Sequence, residues 1–309
     1  MTKLHLDTDL GGDIDDVCAL AMLLKWPDLQ ITGITTVSDD QGRRAGYTRY
    51  MLNLAGRDDI PVAAGADVSL GGYRIRPGFP DETQYWPEPV VTAPGPLGAA
   101  LDLLENSIKQ GAIVMGIGCY TNLALLERHS PGILNQANLV LMGGYIFPVR
   151  AGYPAWGNDM DWNIQVDVGS AQYVLQHAHP LLVPLTVTVE TALQRAHLPR
   201  LQQAGAMGQL LARQAEAHAQ EYNNETLLGR PNPNVPDDLI NFQHDPLACA
   251  IALGWNQGVI IEDIPLRLEI KDSWLHEIPD ANGQPMRVVT QVNGSAFSAF
   301  WLDRITQSA

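Results

Sequence analysis

Short apolar runs and helical patterns alternate along this chain. Leu4-His5-Leu6 precedes an amphipathic stretch from Val17 to Leu24; Ile31 to Val37 precedes another from Tyr47 to Leu54; and Pro61-Val62-Ala63-Ala64 follows. This β-α-β-α-β order predicts a mainly parallel sheet covered by helices. The rhythm returns with a helix over Leu97 to Ile108, a strand over Ala112 to Gly116, a short helix over Asn122 to Glu127 and a strand over Asn138 to Met142. A third instalment has a helix near Gly169 to Gln176, a strand at Leu181 to Leu185 and a longer helix over roughly Gly205 to Asn224. Alternation around Arg287 to Val292, then Ala296 to Ile305, reads as a late strand and a terminal helix. The fold class expected is α/β, an open and mostly parallel sheet flanked by helices.

Two stretches break the rhythm. Gly71 to Pro96 and Gly229 to Pro236 are rich in Gly, Pro and aromatic residues, and are longer than ordinary connections. Both are candidate active-site loops. No repeat, low-complexity tract or separating linker interrupts the chain, so one domain over residues 1–309 is expected.

Composition narrows the function classes. With 46% hydrophobic and 17% charged residues the chain can bury a sizeable core, and nothing in it has the composition of a disordered segment. The 34 acidic against 19 basic residues give a formal charge of -15, which disfavours nucleic acid and anionic membranes as partners. A neutral or cationic small molecule is the expected ligand. Cys18, Cys119 and Cys249 are odd in number and widely spaced, suggesting neither a disulfide framework nor a zinc site. With no signal-peptide pattern and no run long enough to span a bilayer, a cytoplasmic protein is expected.

The densest chemistry lies at the start. Asp7, Asp9, Asp13, Asp15 and Asp16 fall within ten residues, where the first strand turns into the first helix. Carboxylates so crowded repel one another, and a hard cation such as calcium or magnesium is the simplest reason to hold them together. Asp7 and Asp9 are expected to separate, one towards the crevice beyond the strand and one into supporting structure. Asp15 and Asp16 suit a helix N-terminus, so capping is an alternative role for them. Capping needs only one carboxylate and leaves Asp7, Asp9 and Asp13 unexplained. Further along, His244-Asp245-Pro246 precedes an apolar helical pattern, where Asp245 is either a cap or half of a catalytic dyad. Trp156-Gly157-Asn158-Asp159-Met160-Asp161-Trp162-Asn163 gathers aromatic and hydroxyl-binding side chains, which suits either a sugar site or, less commonly, an ordinary turn with exposed tryptophans.

At these residues the chain resembles the inosine-uridine-preferring nucleoside hydrolases, whose hallmark is an N-terminal D-x-D-x-G-x-D-D strand-turn-helix. Ile31 to Val37, Gly118 to Ala124, Leu141-Met142-Gly143-Gly144, Asp161 to Ile164 and His244-Asp245-Pro246 follow in family order. The resemblance covers nearly the whole chain. It implies a Ca2+ ion at the base of a pocket, chelating the ribose hydroxyls and a water molecule of a small-molecule ribonucleoside. Carried over, Asp9, Asp16, Asp245 and the main-chain carbonyl of Thr121 look like the metal ligands, and Asp15 looks like a ribose ligand. Asp161 and Asn163 stand where the family has its Glu-x-Asn ribose-binding pair, and Asn158 matches an upstream asparagine that holds the 5′ hydroxyl. Met142 and His244 would lie near the sugar and leaving base. Family members are commonly dimers or tetramers, so a homo-oligomer is implied.

The expected chemistry follows. A cation lowers the pKa of its bound water, Asp9 accepts the proton as water attacks the anomeric carbon, and carboxylates stabilise the oxocarbenium-like transition state. His244 and Tyr222 are candidate acids for the leaving base, and Trp86, Trp156 and Trp162 are candidates to stack on it.

The chain departs from the family pattern in four places. Leu10-Gly11-Gly12-Asp13-Ile14 is two residues longer than the usual turn, and Asp13, unassigned, is open to replacing a ligand, approaching the sugar or, the leading expectation, facing solvent on its Gly-Gly turn. Asp40 replaces an asparagine of the sugar pocket. Asp161 is one methylene shorter than the usual glutamate. The family's His-Gly after the third strand is absent between Gly71 and Pro96, where Tyr85 and Trp86 stand instead. Two other readings compete: a nucleoside-binding protein of the same fold without turnover, and a magnesium-dependent haloacid-dehalogenase-like phosphatase, which also begins with D-x-D at a strand end.

Overall fold

The computed structural model describes residues 1–68 and 79–307. In chain order, the first strands are β1 (Thr2–Thr8), β2 (Leu29–Thr36), β3 (Val62–Ala64), β4 (Ile113–Gly116), β5 (Asn138–Met142) and β6 (Leu181–Val183). Then come β7 (Leu193–Gln194), β8 (Leu239–Asn241), β9 (Ile260–Lys271), β10 (Trp274–Pro279) and β11 (Gln284–Gln291). Among the described residues β7 and β8 form a small ribbon, and the other strands form a nine-stranded sheet in the order β10-β9-β11-β6-β5-β4-β1-β2-β3.

Chain direction explains where a site must form. From β3 through β6 every pairing is parallel, and β1 lies between β2 and β4 at the point where the strand order reverses. Helices leave opposite faces of the sheet at that point, so a crevice opens beyond the carboxyl ends of β1 and β4. Asp7 pairs with Thr35 on one side and Gly116 on the other, which puts the acidic turn at the crevice.

Strand alternation divides the core. Met115, Ile117, Val140 and Met142 join Leu4 and Leu6 in one cluster, whereas Val114, Leu139 and Leu141 join Leu182 in another on the opposite face. The first face is covered partly by the helices Asp15–Leu24, His244–Ala252 and Gly294–Thr306. Fully buried Trp301 on the last of these donates its indole N–H to the Cys18 carbonyl at 3.1 Å. The second face is covered by Leu97–Lys109, Thr121–His129 and Val168–His177.

The antiparallel end of the sheet was not foreseen. β9 pairs antiparallel with both β10 and β11, and along its length only Leu266 is buried, so it carries no apolar stripe of period two. The first part of the expected Gly71 to Pro96 loop lies outside the described residues. Its later part forms the short helix Glu82–Tyr85 and buries Tyr85 and Trp86. Trp86 stacks on Tyr47 with centroids 4.6 Å apart and planes at 7°, so it belongs to the core and is not a partner for a base. Cys18, Cys119 and Cys249 are buried free thiols, and no helix of the described residues is long and apolar enough to cross a membrane.

Candidate active site

A cavity of about 480 Å³ opens at the predicted crevice, and Asp9, Asp13, Asp15, Asp16 and Asp245 all line it. Two residues apart, Asp7 and Asp9 would share one face of a continuous strand. The strand stops at Thr8, so the following turn is free to carry Asp9 into the cavity while Asp7 stays beneath it. Asp7 Oδ1 accepts from Thr35 Oγ1 at 2.5 Å and from Asn122 Nδ2 at 2.7 Å. Burial pushes its carboxyl up to about 7 against those hydrogen bonds.

Capping does not explain Asp15, Asp16 or Asp245. The helix Asp15–Leu24 has Ile14 at its N-cap and His244–Ala252 has Gln243, and neither cap is made by a side chain. The three carboxylates instead turn inward from the first turns of two facing helices, with oxygens within 4.8 Å of one another. Thr8 Oγ1 donates to Asp16, and the Asp245 N–H approaches Asp15 at 3.4 Å. All three carboxyls are pushed well up, first by burial and then by neighbouring acids including Asp9, Asp13 and one another. Asp9 is raised by burial, with the Arg44 guanidinium opposing, and the Trp162 indole hydrogen-bonds its carboxylate.

This donor set fits a hard divalent cation. Buried carboxylates that repel in the chain alone become mutually compatible when a positive ion sits among them, which reverses the direction of the shifts. The helix N-termini behind Asp15 and Asp245 favour negative charge at the same place.

The longer turn before the helix is locked by the helix Arg43–Leu54. Arg44, itself buried, donates to the carbonyls of Asp9 and Leu10 and, through Nε, to Ser38 at 2.9 Å. Gly11 has φ +100°, and a Cβ there would lie 2.3 Å from the Tyr47 ring. Glycine is therefore required on both counts. Asp13 is exposed, as expected, and stands at the cavity's edge; its Oδ1 accepts from Asn241 Nδ2 and from the Ile14 N–H, each at 2.5 Å.

The sugar-binding expectations divide. Met142 and Asn163 line the cavity, and Asn163 Nδ2 donates to the Ile117 carbonyl at 2.9 Å and the Met142 carbonyl at 3.2 Å. Asp161 does not line it. Its carboxylate is buried behind the wall, where Oδ2 accepts the Gly144 N–H at 2.6 Å. Asn158 is also turned away, because its 3-10 turn packs against β10 and its amide donates to the Leu275 carbonyl at 3.3 Å. Asp159 and Met160 of the same turn reach the cavity instead.

Asp40 is half-exposed at the start of another 3-10 turn, away from the cavity. Its neighbour Asp39 is the buried one, accepting from Thr36 Oγ1 and from the N–H groups of Arg44 and Ala45. Thr121 is buried at the start of its helix, its hydroxyl donating to Asp167 at 2.6 Å, and it is not among the residues lining the cavity.

The opposite wall is aromatic. Trp156, Trp162, Phe242 and His244 line it, with His244 5.6 Å from Phe242 and 6.3 Å from Trp156 between ring centroids. Thr188 Oγ1 donates to the Leu185 carbonyl at 3.2 Å and lies 2.7 Å from His244 Nδ1. Thr188 thus anchors the imidazole through Nδ1 and leaves Nε2 as the ring nitrogen without a hydrogen-bond partner among the described residues. Burial pushes His244 down to about 4, which keeps the ring neutral. Tyr222 lines the cavity and is 45% exposed. Arg44, His218, Asn224 and Asn241 are lining residues that the sequence did not single out. Only the i, i+4 spacing of His218 and Tyr222 could have signalled that one helix face was polar and aromatic.

Comparison with known proteins agrees with this geometry. Residues 4–299 match the sequence family described as inosine-uridine preferring nucleoside hydrolase. An uncharacterized protein of Schizosaccharomyces pombe is 29% identical over 211 residues, covering 65% of this chain and 66% of that protein. The pyrimidine-specific ribonucleoside hydrolase RihA of Salmonella paratyphi C is 29% identical over 210 residues, 65% of each chain. The chain thus spans just under two thirds of the length of these relatives. Among solved structures, a plant nucleoside hydrolase superposes with a TM-score of 0.79 at 20% identity, over 99% of both chains. The purine-preferring ribonucleoside hydrolase from Gardnerella vaginalis gives 0.78 at 20% identity, over 99% of this chain and 98% of that one. These two likenesses establish the fold.

Proposed function

The chain belongs to the inosine-uridine preferring nucleoside hydrolase family, and from that premise we propose that it hydrolyses the N-glycosidic bond of a ribonucleoside, giving ribose and a free base, with Ca2+ as its metal. The observation that carries this reading is the convergence of Asp15, Asp16 and Asp245, buried and with oxygens within 4.8 Å, at the sheet's topological switch point. Asp9, Asp16, Asp245 and the Thr121 carbonyl are the proposed metal-holding groups, and Asp15 is the proposed ribose ligand. When bound, the cation supplies positive charge and Lewis acidity to hydroxyl groups and water.

The chain's own residues do the rest. Asp9 takes a proton from the attacking water at its carboxylate, and the Trp162 indole keeps that carboxylate oriented. Asn163, fixed by the Ile117 and Met142 carbonyls, orients the sugar beside Met142. The carboxylate floor stabilises positive charge developing on the ribose ring as the bond to the base breaks. Trp156 and Phe242 exclude water from the leaving base, and His244, neutral, contacts it through Nε2. Asn158 and Asp161 have no part in this scheme, since their side chains are engaged outside the cavity, and neither has Asp40, which does not line it. One domain over residues 1–309, a cytoplasmic location and a homo-oligomeric state complete the proposal.

The test is a panel of purine and pyrimidine ribonucleosides with calcium, monitored for free base with wild type and Asp9→Ala. Base release by wild type and its loss in the variant are expected; equal release by both overturns the mechanism.

A further inference from the structure

Two irregular segments carry part of the cavity wall. Between β5 and the Asn158–Met160 turn, residues 143–157 form no helix or strand, and near their end they supply Trp156. Between the helix Gly205–Tyr222 and β8 lies one turn of π-helix, Glu225–Gly229, which supplies Leu228, followed by the Pro-rich run to Pro236. Neither segment is fixed by a ladder of backbone hydrogen bonds. The positions of Trp156 and Leu228 therefore depend on contacts between the segments and around them.

Asn234 joins them. Its backbone N–H donates to the Gly152 carbonyl at 2.9 Å and its Nδ2 to the Ala151 carbonyl at 3.1 Å. Gly152 has φ +91°, and a Cβ there would stand 2.4 Å from Asn234 Nδ2, so this approach requires glycine on both counts. Further contacts carry the junction to the cavity. Asn232 Nδ2 donates to the Leu228 carbonyl at 2.8 Å, Tyr145 Oη donates to the Trp156 carbonyl at 2.9 Å, and Arg150 pairs with Glu190 at 2.7 Å. Val149, Tyr153 and Trp156 from one segment and Leu228 and Val235 from the other meet in a small apolar cluster, which shares Phe242 with the cavity wall. Asn234 itself is exposed and does not line the cavity.

We infer that Asn234 is a positioning residue: by clipping the two segments together it sets where Trp156 and Leu228 stand, and so the affinity of the cavity for substrate, without touching the substrate itself. The inference rests on the nucleoside reading. A wall that is in its binding position only part of the time weakens apparent affinity by that fraction. The clip raises the fraction, because the segments are ordered on folding and not on binding. The carboxylate floor stands apart from this device. Asp15, Asp16 and Asp245 are held by the first turns of two packed helices, to which neither segment contributes. Loosening the clip therefore affects substrate binding and leaves the chemical step and the sugar site as they are.

The experiment measures kcat and KM for an accepted ribonucleoside, and inhibition by D-ribose, which occupies the floor alone. Wild type is compared with Asn234→Ala, Gly152→Ala and the double variant. Asn234→Ala should raise KM roughly threefold to tenfold, the range for one hydrogen bond, with kcat and the ribose inhibition constant within about twofold of wild type. Gly152→Ala, whose Cβ displaces the Asn234 amide, should raise KM at least as much. The double variant should fall short of the product of the two effects, because both act on one contact. An unchanged KM in Asn234→Ala overturns the inference, as do effects that multiply. So does a fall in kcat and ribose affinity in step with the rise in KM, since that marks a general loosening of the fold. Absence of base release by wild type from every ribonucleoside overturns the nucleoside reading, and this inference with it.

Discussion

Asp161 and Glu277 accept adjacent N–H groups of one turn, Asp161 from Gly144 at 2.6 Å and Glu277 from Tyr145 at 3.3 Å, and each leaves its second carboxylate oxygen buried without a partner. Burial pushes Asp161 up to about 7, and burial followed by the Asp161 charge pushes Glu277 up to about 8. Both carboxyls are thereby held towards their protonated forms near neutral pH.

The sign of the pH dependence follows. Unfolded, the two carboxyls lose their protons near their ordinary values of 3.8 and 4.5; folded, they keep them to about 7 and 8. Their contribution is fully present below about pH 4 and is lost as pH rises through 7 to 8. With calcium present throughout, wild type should lose on the order of a few kcal/mol relative to Glu277→Gln across this window, since one unit is worth about 1.4 kcal/mol. Thermal melts of both proteins from pH 5 to 8 test this, and parallel curves would refute it.

Asp9→Asn should lower base release by about 10²- to 10⁴-fold with little change in KM, the usual range for loss of a general base. Steady-state assays on any accepted nucleoside check this. A KM effect at constant kcat would make Asp9 a binding residue only.

Asp16→Asn removes one charge from a repelling, buried cluster. Without divalent ions the variant should melt above wild type, because fewer like charges share the cavity floor. With calcium the order should invert: wild type gains about 2.7 kcal/mol at a hundredfold excess over Kd, while the variant gains less. Chelator and calcium arms of one melting experiment decide it, and calcium-insensitive wild type would contradict the metal assignment.

Gly11→Ala meets both a left-handed backbone and the Tyr47 ring. A loss of about 1–3 kcal/mol is expected from overpacking, together with reduced activity as the turn shifts Asp9. Urea unfolding measures the first part. A neutral substitution would mean the Arg44 anchor alone fixes the turn.

His244→Ala should reduce nucleoside hydrolysis by about 10²-fold, if contact with the leaving base carries weight comparable to a catalytic group. Thr188→Val, which removes the 2.7 Å partner of Nδ1, should reproduce part of that loss. Unaltered kcat/KM in Thr188→Val would show that the ring needs no such anchor.

Much of the fold was legible because helices and strands have different apolar periods. β1 to β6 and the helices between them follow the runs beginning at Leu4, Val17 and Ile31. β9 and β10 were missed for the same reason: β9 buries only Leu266, so no period marks it. Of the candidate site, the acidic turn, Met142, Asn163 and His244-Asp245 all reach one cavity. Asn158, Asp161 and Asp40 do not, because a motif fixes residue identity and not which way a side chain turns at the end of a short 3-10 turn or beneath a glycine turn.

By itself the sequence determined a parallel sheet with an acidic turn at the end of its first strand, since hydrophobic period and charge spacing are local properties. Only the tertiary structure decided what each acid does. Ending β1 at Thr8 separated Asp9 from Asp7, the facing helices brought Asp245 to Asp15 and Asp16, and β8 and the helix Gly205–Tyr222 set Asn241 and His218 around Asp13. Those partners lie some two hundred residues away along the chain, and only folding, which buries and orients them together, assigns the five carboxylates their different roles.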